Sequence, residues 1–83
     1  MNCDLNNLFD LDKKLCNQFN NYHAILFEDY YNYNTEIAKL RIDINNMENS
    51  EYKLELKNIL VTCDIKVNYF NSINVPYLEV LSK

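Results

Sequence analysis

His23 is the only histidine, and it follows Cys16 by seven residues. On a helix that spacing places both side chains on one face, where an imidazole could take the thiol proton and leave a nucleophilic thiolate. Such a nucleophile also needs a sharp turn to expose it and an oxyanion pocket, both commonly built on glycine. The chain has no glycine. The plainer reading is a structural thiol beside a half-exposed imidazole, and the expected catalytic set is empty.

Metal chemistry meets a similar obstacle. Cys3, Cys16, Cys63 and His23 share no Cys-x-x-Cys or His-x-x-x-His spacing, the pattern by which zinc sites usually announce themselves. The acidic pairs Asp10/Asp12 and Glu28/Asp29 sit at neighbouring helix positions that do not face each other. They read as solvated charge. Without glycine there is no phosphate-cradling loop, so no nucleotide, metal or other cofactor is expected.

The tyrosines carry more information. Tyr22, Tyr30, Tyr31 and Tyr33 crowd together with Phe27. Tyr30 and Tyr33 continue an apolar stripe, whereas Phe27 and Tyr31 point off it. Tyrosine flanked by asparagine offers a large contact area at low entropy cost, with adaptable hydrogen bonding. Phe27 and Tyr31, four residues apart with Glu28 beside them, are therefore the expected partner-binding residues. A broad aromatic core in an AT-rich genome is the competing explanation. Fifteen Asn, seven Tyr and seven Ile against one Arg, one Pro and no Gly fit such a genome, as in a low-GC bacterium, its phage or an AT-rich virus.

The totals narrow the classes. The 83 residues make one domain, 1–83. A chain this short buries roughly 60% of its unfolded surface. Yet 48% of the residues are apolar, which leaves surface for a partner or a second copy. The net charge is −4, all of it carried by residues 1–36, and the rest is balanced. One Arg in a neutral-to-acidic chain cannot neutralise many phosphates, so nucleic acid is not an expected partner. An acidic half suits a basic protein surface. The longest fully apolar run, Ala24–Phe27, is far short of a membrane span. No signal peptide is read, and the unpaired cysteine count suits a reducing cytoplasm.

These residues must be positioned by helices. Leu5, Leu8, Leu15, Phe19, Tyr22, Leu26, Tyr30, Tyr33, Ile37, Leu40, Ile44 and Met47 recur in steps of three and four, interrupted at Asp12, as one helix face requires. Phe9 and Cys16 are placed with them. Two successive steps of four, Tyr22 to Leu26 to Tyr30, shift the stripe like a coiled-coil stutter. Asp4 caps the first helix, over about 4–32. The break is placed at 31–36, where Asn34 or Thr35 caps a second helix over about 35–47 with Glu36 in its first turn. Ser50 caps a third to about Asn71, with Tyr52, Leu56, Ile59, Leu60, Cys63, Val67 and Phe70 on one arc. Asn74 caps a short fourth helix carrying Pro76, Tyr77, Leu78 and Leu81. The expected fold is all-α, a small bundle or hairpin of three to four helices. The rival is α+β: an N-terminal helix plus a three-stranded antiparallel meander over 40–69. Strict alternation at Ile59, Val61, Cys63, Ile65, Val67 and Tyr69 supports it, while the absence of glycine for tight turns opposes it.

Glu36-Ile37-Ala38-Lys39-Leu40-Arg41, followed by a turn and another helix, faintly resembles the hairpins of small sporulation phosphatases that act on response regulators. That family carries Ser-Gln-Glu-Leu-Asp on its second helix. The corresponding stretch here is Leu60-Val61-Thr62-Cys63-Asp64. Only Asp64 matches, about half the chain is involved, and no membership is inferred.

The expected function is non-enzymatic: a small acidic helical protein that binds a larger cytosolic protein and inhibits, chaperones or bridges it, in the style of a phage- or virus-encoded inhibitor. A homodimer is compatible with this binder, and the alternative is a structural homo-oligomer forming a larger assembly. A phosphatase-like hairpin resting on Asp64 is the weaker alternative.

Overall fold

The computed structural model describes residues 1–79. Three helices follow in order: α1 (Leu5–Tyr22), α2 (Phe27–Asn45) and α3 (Glu51–Ser72). The Asp4 carboxylate accepts from the Asn7 N–H and Ser50 Oγ accepts from the Lys53 N–H, each at 3.1 Å. Both caps were legible in the sequence, because short polar side chains satisfy the free amides of a first turn.

The first break is not where the capping residues pointed. It falls at 23–26, inside the stutter. His23 takes the left-handed conformation at φ 54°, and its N–H closes α1 on the Phe19 carbonyl at 2.8 Å. The chain then runs extended, and Ile25 is fully buried. At 31–36 the helix continues. Asn34 Nδ2 donates to the Tyr30 carbonyl at 2.9 Å, and Thr35 Oγ1 donates to the Tyr31 carbonyl at 3.0 Å. Their side chains bond back one turn instead of capping a new start. Glu36 is likewise no first-turn residue. It is buried in mid-helix, and it accepts from the Asp4 N–H at 3.3 Å and from Asn7 Nδ2 at 3.0 Å.

The fourth helix is absent among the described residues; Leu81 lies outside them. Asn74 ends α3 instead of starting a new helix. At φ 50° it is left-handed, its N–H donates to the Asn71 carbonyl at 3.1 Å, and the Val75 N–H donates to the Phe70 carbonyl at 3.0 Å. This paired closure at a helix C-terminus normally uses glycine, with asparagine as the substitute. Phe70 and Val75 are both buried, the apolar contact that accompanies it. The segment beyond returns to the first break. The Ile25 N–H donates to the Pro76 carbonyl at 3.1 Å, and the Leu78 N–H donates to the Ile25 carbonyl at 2.8 Å.

The meander is ruled out, since residues 51–72 form one helix. Leu60 is 9% exposed and Val61 55%, as an arc requires and alternation forbids. Residues of all three helices share one core, centred on Leu8, Leu15, Tyr33, Leu40 and Leu56. Four placements differ from expectation. Phe9, Tyr22 and Tyr52 are exposed, while Leu11, left out of the stripe, is buried. α2 packs between the other two helices, and no Cα of α1 comes within 8 Å of one in α3. The result is a slab of 46 × 27 × 16 Å. No helix among the described residues is long and apolar enough to cross a membrane.

Candidate functional site

Phe27 opens α2, and its position follows from how that helix is started. The N-cap residue is Leu26, which has no polar side chain. Gln18 of α1 substitutes for one. Its Oε1 accepts from the Leu26 N–H at 3.0 Å, and its Nε2 donates to Asp29 Oδ2 at 2.7 Å. The bridge fixes the first turn of α2 against α1. Glu28 and Asp29 in that turn also favour the positive end of the helix dipole.

Phe27 and Tyr31 lie one turn apart with ring centroids at 6.2 Å. The sequence did not reveal a third member. The returning segment after α3 sets Tyr77 edge-on to Phe27, centroids 5.2 Å apart and planes at 87°. Tyr77 also lies 6.4 Å from Tyr30. Tyr30 belongs to the core. It is buried, and its hydroxyl donates to Asn71 Oδ1 at 2.8 Å. Burial raises its pKa. Phe27, Tyr31 and Tyr77 do not belong to the core: they remain 57, 62 and 48% exposed. Asn71, Asn74, Val75 and Tyr77 line an adjoining hollow with Phe70. Glu28 is exposed beside the rings and makes no ion pair among the described residues.

The suspected thiol–imidazole pair is not assembled. Cys16 Sγ lies 4.0 Å from Asp12 Oδ1, while His23 has left the helix and meets the Phe19 ring edge-on at 6.0 Å. Cys63 belongs to a different arrangement, a polar knot joining the three helices. The fully buried Tyr33 donates to Asp12 Oδ1 at 3.4 Å, and Lys66 is ion-paired with the same carboxylate. Burial opposes the charge on Lys66, but the hydrogen bond and charge of Asp12 outweigh it and raise its pKa. Burial also raises the pKa values of Tyr33 and Cys63. Burial thus disfavours the Cys63 thiolate, the form that acts as a nucleophile. At Cys3, burial first and then the nearby Glu36 and Asp43 carboxylates push the thiol to about 11. With no Cα of α1 within 8 Å of one in α3, Cys16 and Cys63 lie beyond disulfide reach.

Two further groups were missed. Asp43 and Glu36 are buried carboxylates on α2 that grip the chain ahead of α1. Asp43 accepts from the backbone N–H of Asn2 at 3.0 Å and of Cys3 at 2.7 Å. These two bonds hold its pKa below the usual value. Nothing in a lone Asp on an otherwise apolar stretch announces a backbone clamp. Asp64, the one residue matching the phosphatase motif, accepts from Arg41 Nη2 at 2.8 Å. Among the described residues no group of three His, Cys, Asp or Glu side chains is arranged to hold a metal ion. No protein-family model matches the chain, and neither does a curated protein or a solved structure.

Proposed function

We propose that this is a non-enzymatic binding protein. It engages a larger cytosolic protein through Phe27, Tyr31 and Tyr77, and so inhibits, chaperones or bridges it, as a phage- or virus-encoded inhibitor would. One observation carries the reading: three large rings clustered at the surface, with Phe27 meeting both Tyr31 and Tyr77. Exposed apolar groups scattered singly are ordinary, whereas a contiguous cluster marks an interaction site. The backbone that carries the rings is also held in place. The backbone that starts at Phe27 is set by the Gln18 bridge and that of Tyr77 by the Ile25 pairing, so little backbone freedom remains to be lost on association.

The test is affinity capture from the native cell or the infected host. Wild-type protein and a Phe27→Ala/Tyr31→Ala double variant serve as paired baits. A partner retained by the first and lost by the second supports the reading. Equal capture by both baits removes the rings from the interface.

Self-association is the second reading, and a separate observation favours it. Leu54, Val61 and Ile65 share the face of α3 opposite the core and are all exposed. Light scattering on the pure protein distinguishes the two. A monomer or dimer fits a binder, and a large assembly fits a structural protein.

A further inference from the structure

Charge is unevenly distributed along the slab. The end that carries the rings is built from the last turns of α1, the first turns of α2, the last turns of α3 and the segment after it. Residues 15–35 and 67–79 contain no Lys or Arg. Among the described residues the cations begin at Lys14 on α1, Lys39 on α2 and Lys66 on α3, and Lys66 is held by Asp12; Lys83 lies outside the described residues. The carboxylates at this end are Glu28, Asp29 and Glu79. Asp29 is occupied by Gln18. Glu28 adjoins Phe27 and Glu79 follows Tyr77 by two residues. Both are exposed, and neither has an ion-pair partner among the described residues.

An apolar partner laid across Phe27, Tyr31 and Tyr77 would desolvate these carboxylates without compensation, which is costly. An anionic partner would be repelled. A cation satisfies both features, because aromatic faces attract positive charge and the flanking carboxylates pair with it. Arginine fits better than lysine. Its planar guanidinium stacks on rings, is weakly hydrated and forks onto a carboxylate. We propose that this end docks an arginine-bearing segment of the partner polypeptide. The guanidinium lies over one free ring face, of Phe27 or of Tyr77, and pairs with Glu28 or Glu79. The proposal rests on the reading of the three rings as the partner-binding face.

The test uses the full chain, isotopically labelled, and follows ring and amide resonances by NMR. Three capped peptides are titrated: Gly-Arg-Gly-Arg-Gly and its Lys and Glu counterparts. The arginine peptide should give saturable shifts centred on Phe27, Tyr31 and Tyr77. It should bind more tightly than the lysine peptide, and the glutamate peptide should give none. Phe27→Ala should weaken binding by about fivefold, and Glu28→Gln with Glu79→Gln by a similar factor. Amide spectra of each variant check that the fold is retained. Absence of saturable shifts at these rings overturns the proposal. So does equal binding of the lysine peptide, or binding unchanged in the variants. A captured partner that docks on the rings through a segment without arginine overturns this inference alone. A partner whose binding ignores Phe27 and Tyr31 overturns the assignment of the face as well.

Discussion

Tyr77 stands edge-on to Phe27 with ring centroids 5.2 Å apart, although one lies beyond α3 and the other begins α2. The contact exists because the Pro76 carbonyl and the Leu78 N–H both bond to Ile25. Edge-to-face pairs contribute about 0.5–1.5 kcal/mol beyond burial. Tyr77→Ala should therefore lower stability by about that amount and leave the helices intact. The Phe27 ring resonances should shift strongly. Unchanged Phe27 resonances would mean that the ring pair does not form in solution.

The position of the first helix break has its own test at His23. A left-handed residue with a Cβ costs about 1–2 kcal/mol, and glycine escapes that cost. With His23 at φ 54°, His23→Gly should be neutral or stabilise by up to about 1 kcal/mol, and His23→Val should destabilise by about 1–2 kcal/mol. A helix running unbroken to residue 32 predicts the opposite for glycine, a loss of about 1 kcal/mol. Chemical denaturation of the two variants separates the cases.

Asp43 gives the pH dependence. Its pKa is lowered by the Asn2 and Cys3 amides, so below the ordinary carboxylate value the unfolded chain binds the proton more readily than the native one. Stability must then rise with pH across that interval. The contribution is fully present above the unfolded value, near 3.8, and is lost as pH falls through the depressed native value. Asp43→Asn should flatten this acid limb in melts taken from about pH 5 downward. It should also speed hydrogen exchange at the Cys3 amide. An acid limb identical to wild type would show that the clamp is open in solution.

The pair Leu60 and Val61 tests the face of α3. Leu60→Asp puts a carboxylate into the core beside Cys63 and should unfold the protein. Val61→Asp sits on the exposed face and should change stability by no more than about 0.5 kcal/mol. Thermal melts followed by far-UV circular dichroism read both.

The parts of this fold that were legible in the sequence are those set by local chemistry. Asp4 and Ser50 are caps because their oxygens reach a free amide three residues on. The arc from Leu56 to Phe70 reports the helical period directly. Legibility failed where one residue type serves two geometries. Asn74 can start a helix or close one, and only the Phe70–Val75 contact decides. Asn34 and Thr35 can cap a helix or bond back within it. The stutter at Tyr22–Leu26–Tyr30 did mark the true break, but His23-Ala24-Ile25 offers no cap or glycine to signal it. What ends α1 there is tertiary: the burial of Ile25 and its pairing with the chain after α3. The exposed aromatic cluster was half legible for the same reason. Phe27 and Tyr31 share a helix face and can be read together, whereas Tyr77 joins them only through that distant pairing.

The exposed rings are the proposed partner-binding face. The most direct measurement is calorimetric titration of the captured partner into wild-type, Phe27→Ala and Tyr31→Ala proteins, with melting temperatures recorded in parallel. Buried aromatic anchors commonly cost about 2 kcal/mol or more when truncated. Each variant should therefore bind at least about 30-fold more weakly with its melting temperature nearly unchanged. Normal affinity in both variants, or collapse of both folds, would show that the rings are not the binding face.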